Sequence, residues 1–185
     1  SGVQPPNPKV QIRREPNPDQ VRRHQPERRF RDSPEGDTRG RDRHTQQQYF
    51  NQGVALLHCF WDLEAYRAFK EAIRHDSAAI MPYWGLMETI GSFGNEDFKK
   101  DKALALTKLE SLKENATEHE KLYAEAILLN DSIGYREYTK KLERIVHKYP
   151  DDVDAKLFLA LKKMSGFDAE MNPHEGQLYS EYLLR

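Results

Sequence analysis

The sequence predicts an all-α body behind an extended, basic N-terminal arm rich in proline and arginine, and three observations carry that expectation. From Gln46 onward, apolar residues recur at the helical interval of about 3.6 positions, and 64 of those 140 residues are apolar, enough for a core. The breaks between periodic stretches fall regularly, and no stretch alternates strictly enough to argue for a strand. The first 45 residues, by contrast, hold five apolar side chains and seven of the ten prolines. Such a stretch cannot offset a backbone ordering cost of about 1–2 kcal/mol per residue. Residues 1–45 are therefore read as an arm and residues 46–185 as the folding unit.

Taken in order, the first helix is expected over Thr45 to Cys59 and the second over Leu63 to His75. A third covers Ala79 to Ser92 and a fourth Asp97 to Leu112. Thr117 and Glu120 have the spacing of a capping box, which opens a fifth helix ending near Asn130. The sixth runs from Gly134 or Tyr135 to Tyr149 and stops at Pro150. Asp151 or Asp152 caps a seventh that continues to Met164, and Asn172-Pro173 starts an eighth, since proline suits the first helical position.

Charge divides the chain at the same place. Residues 1–45 carry a balance of +4 and the remainder −5, within a net charge of −1. The arm has a loose internal repeat: Pro6-Asn7-Pro8 leads to Arg13 and Arg14, Pro16-Asn17-Pro18 leads to Arg22 and Arg23, and Arg28 and Arg29 follow Pro26, with Val10, Ile12, Val21 and Phe30 as the occasional apolar side chains a groove would accept. It reads as a solvated linker, as an arm that docks on an acidic protein surface, or as a nucleic-acid tail whose arginines neutralise phosphates. Its seven acids and single aromatic offer little for base stacking, so nucleic acid is the alternative rather than the leading partner.

Eight helices with short links point to antiparallel pairs. The first pair reads Tyr49, Gln52, Gly53 and Leu56, then Ala65, Phe69 and Ala72, and Tyr83 follows Tyr49 after 34 residues. This pattern resembles the tetratricopeptide repeat, and the stretch from Phe50 to Leu86 is most similar to bacterial members of that family. The small Gly53 allows close helix approach, and Phe69 fills the gap between neighbouring hairpins. Later units keep the pattern less fully: Met87 stands where a small residue is usual, Tyr138 replaces the usual Ala, and an insertion lies around Phe93 to Asp101. The resemblance implies a right-handed solenoid of about four stacked helical hairpins that serves as a binding scaffold.

It also implies a concave face lined by the first helix of each pair, here Phe50, Val54, Trp84, Glu88, Tyr123, Ile127, Leu157 and Leu161. Some members clamp a peptide carboxylate with Lys and Asn at such positions. None of these eight is Lys or Asn, so an apolar or aromatic groove for a protein segment is expected instead. Tyr179, Tyr182 and Leu183 form an apolar final turn where helical arrays commonly carry a polar cap, which reads as an assembly end, with copies of the chain as the partner.

No enzyme is expected, and no cofactor. The seven histidines are scattered without a His-x-x-x-His pair, and no phosphate-binding glycine loop or nucleophile elbow occurs. Cys59, the single cysteine, reads as a core-facing thiol, and its neighbour His58 points about 100° away on a helix. An accessory domain of a larger enzyme is the remaining alternative. No apolar run approaches the about 18 residues of a membrane span. The Ser1 start and the formal glycosylation sequons at Asn115 and Asn130 lean toward an extracytoplasmic or secreted protein, with a cytoplasmic one as the alternative.

Overall fold

Helical periodicity becomes helix almost throughout. The computed structural model describes residues 38–90, 96–132 and 134–185. Its helices are α1 (Thr38–His58), α2 (Asp62–His75), α3 (Met81–Ile90), α4 (Glu96–Leu112), α5 (Glu118–Ser132), α6 (Tyr135–Lys148), α7 (Val153–Lys163) and α8 (Glu175–Leu183), with a 3-10 turn at Lys113–Asn115. There is no strand among the described residues, only an isolated antiparallel bridge between Phe167 and Pro173. No helix among them is long and apolar enough to cross a membrane. The chain divides into two units, Ser1–Gly36 and Asp37–Arg185, and the eight helices among the described residues belong to the second.

Each helix packs on its sequence neighbour, α1 on α2, α2 on α3, α3 on α4, and so on through α7 on α8. In addition α3 touches both α1 and α5. That central position explains its composition: every residue from Pro82 to Met87 is buried, as are Thr89 and Ile90. A helix apolar on all sides needs neighbours on all sides. The flanking helices bury only a stripe, Ala65, Ala68, Phe69 and Ala72 on α2, and Tyr138, Thr139, Leu142 and Ile145 on α6.

A tight joint lies around Phe69. A methyl group placed on Gly53 would lie 2.6 Å from Phe69 Cε1, and one on Gly85 would lie 2.5 Å from Cζ. The ring of α2 is thus wedged between glycines of α1 and α3, which lets three backbones approach through one side chain. On the outside, Lys70 and Tyr66 of α2 both donate to Asp101 of α4, the lysine at 2.8 Å.

The ends of the helices obey local chemistry with three corrections. At α5 the capping box forms: Thr117 N–H donates to Glu120 Oε2 at 2.9 Å, and Glu120 N–H donates to Thr117 Oγ1 at 3.3 Å. At α7, Asp152 Oδ1 accepts from Ala155 N–H at 2.8 Å. The first correction is that Thr38 to Thr45 belong to α1 rather than to an extended arm. No proline follows Pro34 until Pro82, Gln46 is already buried, and Asp42 lies 4.0 Å from His75, so the helix extends backward at one hydrogen bond per residue fixed. The second concerns Pro173, which pairs with Phe167 instead of opening α8. Asp168 accepts from Asn172 N–H at 2.7 Å and closes the loop before it, so the helix starts at Glu175. The third is Cys59, which is exposed in the turn after α1 and does not face the core.

Candidate functional site

The side chains expected to line an open concave face are largely inside the protein. Val54, Trp84, Tyr123 and Ile127 are buried, Phe50 and Leu157 are half-buried, and Leu161 is exposed. The residue that fills the space is Phe158 of α7. Its ring meets Trp84 edge-on at 5.3 Å and lies 4.7 Å from the His58 ring, while Tyr123 meets Trp84 from another direction at 5.0 Å. Trp84 and Tyr123, two of the residues expected to line an apolar or aromatic groove, are therefore core rings. Sequence reasoning missed Phe158 because the run Leu157-Phe158-Leu159-Ala160-Leu161 is apolar at every position, which leaves periodicity unable to say which side faces in.

What stays open is a cleft of about 360 Å³ beside that plug. Its apolar wall includes Leu57, Phe60, Leu157, Leu161 and Met164. Three of these, Phe60, Leu161 and Met164, are exposed at its mouth. Glu88, one of the expected groove residues, also lines it.

Glu88 is the unusual group here, because its side chain is only 5% exposed. It accepts a hydrogen bond from the Tyr138 hydroxyl and lies 3.9 Å from Lys162 Nζ. Burial pushes its carboxyl above the usual glutamate range, and Lys162 and Tyr138 offset that only in part. Burial, with the Glu88 carboxyl second, holds the Tyr138 phenol far above its ordinary value, so it remains a donor. Tyr138 stands where the repeat resemblance leads one to expect alanine, and its length is what lets α6 reach α3. Lys162 also lies 5.7 Å from the centre of the Tyr138 ring. The set is a carboxyl, a phenol and an ammonium gathered from three helices, of which the carboxyl and the ammonium line the apolar cleft.

A second, half-buried acid serves structure. Asp152 caps α7 and also accepts from Tyr123 Oη and His119 Nε2, both at 2.7 Å. His58, which lines the cleft, is turned to Asp154 at 3.0 Å. Among the described residues, no group of three or more His, Cys, Asp or Glu is placed to hold a metal ion.

The expected assembly end is split by α8. Ser180 is buried against α7, its hydroxyl 2.9 Å from the Ala160 carbonyl and 2.7 Å from that of Gly176. Leu183 packs partly on the core, and Tyr182 and Tyr179 are exposed, Tyr179 with Lys163 over its ring. The docking-arm residues Val10, Ile12, Arg13, Arg14, Val21, Arg22, Arg23, Arg28, Arg29 and Phe30 lie outside the described residues. Compared with known proteins, the chain matches no family model, no curated protein and no solved structure.

Proposed function

We propose that this protein is a non-catalytic scaffold that binds a protein segment in the cleft between α1, α3 and α7, and that its most specific form is self-assembly. The observation that carries the reading is the exposed apolar mouth of that cleft, Phe60, Leu161 and Met164, over the buried Glu88. Apolar surface around a concavity is what a partner's side chains fill, with a few polar groups fixing orientation. In the same reading the body is a right-handed solenoid of tetratricopeptide-like hairpins. Support comes from the order of packing, each helix on the next and α3 on both α1 and α5, and from the Phe69 joint between Gly53 and Gly85. The partner is another copy, favoured by the opposed charge balances of residues 1–45 and 46–185, +4 and −5.

The test is light scattering of the full chain over a range of concentrations, beside Leu161→Asp. Leu161 is exposed, so the charge does not enter the core. The proposal expects mass to rise with concentration and the rise to vanish in the variant. A chain that stays monomeric throughout ends the self-assembly reading.

A further inference from the structure

The turn between α1 and α2 holds two residues that local chemistry would not choose. Leu56 and Leu57 carbonyls accept from Trp61 and Phe60 N–H at 3.0 and 3.1 Å, which closes α1 with a Schellman motif. The residue after the helix in that motif adopts the left-handed conformation and is usually glycine. Here it is Phe60, with φ of 60°. Trp61 then occupies the N-cap of α2, where Ser, Thr, Asp or Asn would accept a backbone hydrogen bond, and it makes no side-chain cap bond. Neither aromatic recovers this by burial, since Phe60 is 70% and Trp61 62% exposed. Leu56 lines the same cleft as Trp61, and most of the indole stands in solvent. Adjacent violations of local preference without a compensating contact mark a functional position.

The two side chains stand between two concavities. Phe60 lines the cleft over Glu88, and Trp61 lines a second cleft of about 410 Å³ on α1 and α2 with Tyr49, Leu56 and Ala68. Of the acids lining the two, Glu64 pairs with Arg67 at 3.1 Å, Glu71 with Arg74 at 2.8 Å, and Glu88 is buried beside Lys162, which leaves Asp62 next to the two aromatics in a body whose balance is −5. An exposed indole and phenyl beside a carboxylate on an acidic body accept a guanidinium by stacking and by charge, with apolar neighbours entering the clefts. Residues 9–31 have that chemistry: Ile12 adjoins Arg13-Arg14, Val21 adjoins Arg22-Arg23, and Arg28-Arg29 adjoins Phe30.

We infer that the Phe60–Trp61 turn is the anchor for an arginine-bearing segment, residues 9–31 of a second copy of this chain. The inference rests on the scaffold reading and adds to it the anchor and the chemistry of the occupant. Arginine rather than lysine is required, because a planar guanidinium stacks on the indole face and an ammonium does not.

A fluorescein-labelled peptide of residues 9–31, titrated with the full chain and followed by anisotropy, tests this. Phe60→Asn tolerates the left-handed backbone and Trp61→Ser can cap α2, so both variants keep the fold. Each is expected to weaken peptide binding at least about tenfold, the loss of a hot-spot contact. A peptide with the three arginine pairs changed to lysine is expected to bind about tenfold more weakly as well. Equal binding by the variants, equal binding of the lysine peptide, or no binding of the parent peptide overturns the inference. If Phe60→Asn and Trp61→Ser still associate with concentration while Leu161→Asp does not, the scaffold reading stands and the turn assignment alone falls. If none of the three variants changes association, both fall.

Discussion

Gly85→Ala is the substitution that tests the packing most directly, because two effects on it oppose each other. Gly85 lies inside α3, where alanine in place of glycine favours the helix by about 0.5–1 kcal/mol. The added methyl, however, would lie 2.5 Å from Phe69 Cζ and closer still to Cε1, against a normal carbon separation of about 3.5–4.0 Å. Phe69 is fully buried, with Gly53 on its other side and the Phe50 ring 5.9 Å away, so it has no free direction in which to retreat. Overpacking of this kind costs about 1–3 kcal/mol, and an overlap of about 1 Å belongs at the upper end. The net expectation is a loss of about 2 kcal/mol. In a Phe69→Val background the colliding Cδ1, Cε1 and Cζ atoms are all gone, and the same Gly85→Ala change is expected to gain the about 0.5–1 kcal/mol of helix preference. The coupling between the two sites is then about 2.5–3 kcal/mol, near the top of what contacting residues show. Urea unfolding followed by far-UV circular dichroism gives all four stabilities of the cycle. Additivity within about 0.5 kcal/mol, or a Gly85→Ala protein more stable than its parent, would show that Phe69 is not wedged between α1 and α3.

Asp152→Ala removes a cap and strands the buried Tyr123 hydroxyl, so it is expected to cost about 2–4 kcal/mol, whereas Asp152→Asn keeps the cap acceptor but turns the oxygen facing Tyr123 into an N–H donor and costs about 1 kcal/mol; thermal or urea unfolding compares them, and equal losses would refute the double role. Glu88→Gln is expected to gain stability relative to the parent as pH rises. Glu88 keeps its proton in the folded state above about pH 4.3, where an unfolded glutamate ionises, so the parent loses stability with rising pH until the folded carboxyl also ionises, at no more than about 1.4 kcal/mol per pH unit. A stability gap between parent and variant that stays flat from pH 4 to pH 8 would contradict the buried carboxyl. Phe60→Gly relieves a left-handed non-glycine residue and is expected to raise stability by about 1 kcal/mol in the same unfolding assay; a loss of stability would mean that the exposed ring contributes to the fold.

Legibility followed the strength of the local signal. The capping box at Thr117 and Glu120 and the Asp152 cap were readable because each is a short motif whose partners lie three residues apart. The extent of α1 was not, because residues 38–45 carry no apolar pattern, and their helix is held by Gln46 and by Asp42 beside His75, contacts that lie across space. Pro173 misled for a related reason. A proline fits a first helical turn and an extended bridge equally well, and the choice was made by Asp168, whose carboxylate gathers Asn172 and Glu170 N–H groups at 2.7 and 3.0 Å.

The site shows the same limit in a sharper form. A repeat pattern assigns residues to the first helix of each pair, and Trp84, Glu88 and Tyr123, which it sets on one face, all meet α7 or its cap. It could not tell that α7 would itself occupy that side, because an isolated pattern treats each hairpin as adding to a row and not as closing over it. Once Phe158 fills the space against Trp84, the face that a partner could read shrinks to what Phe158 leaves uncovered: the cleft over Glu88 and the turn that overhangs it. That turn was present in the sequence as His58-Cys59-Phe60-Trp61-Asp62, two large aromatics where a helix ends and the next begins. Periodicity assigned them to neither helix and so gave them no role. A residue type that breaks a turn's preference is informative only when its exposure is known, since a buried Phe60 would have been explained by packing. With both rings in solvent, packing within this unit explains neither, which is why the pair is the place to test for a partner.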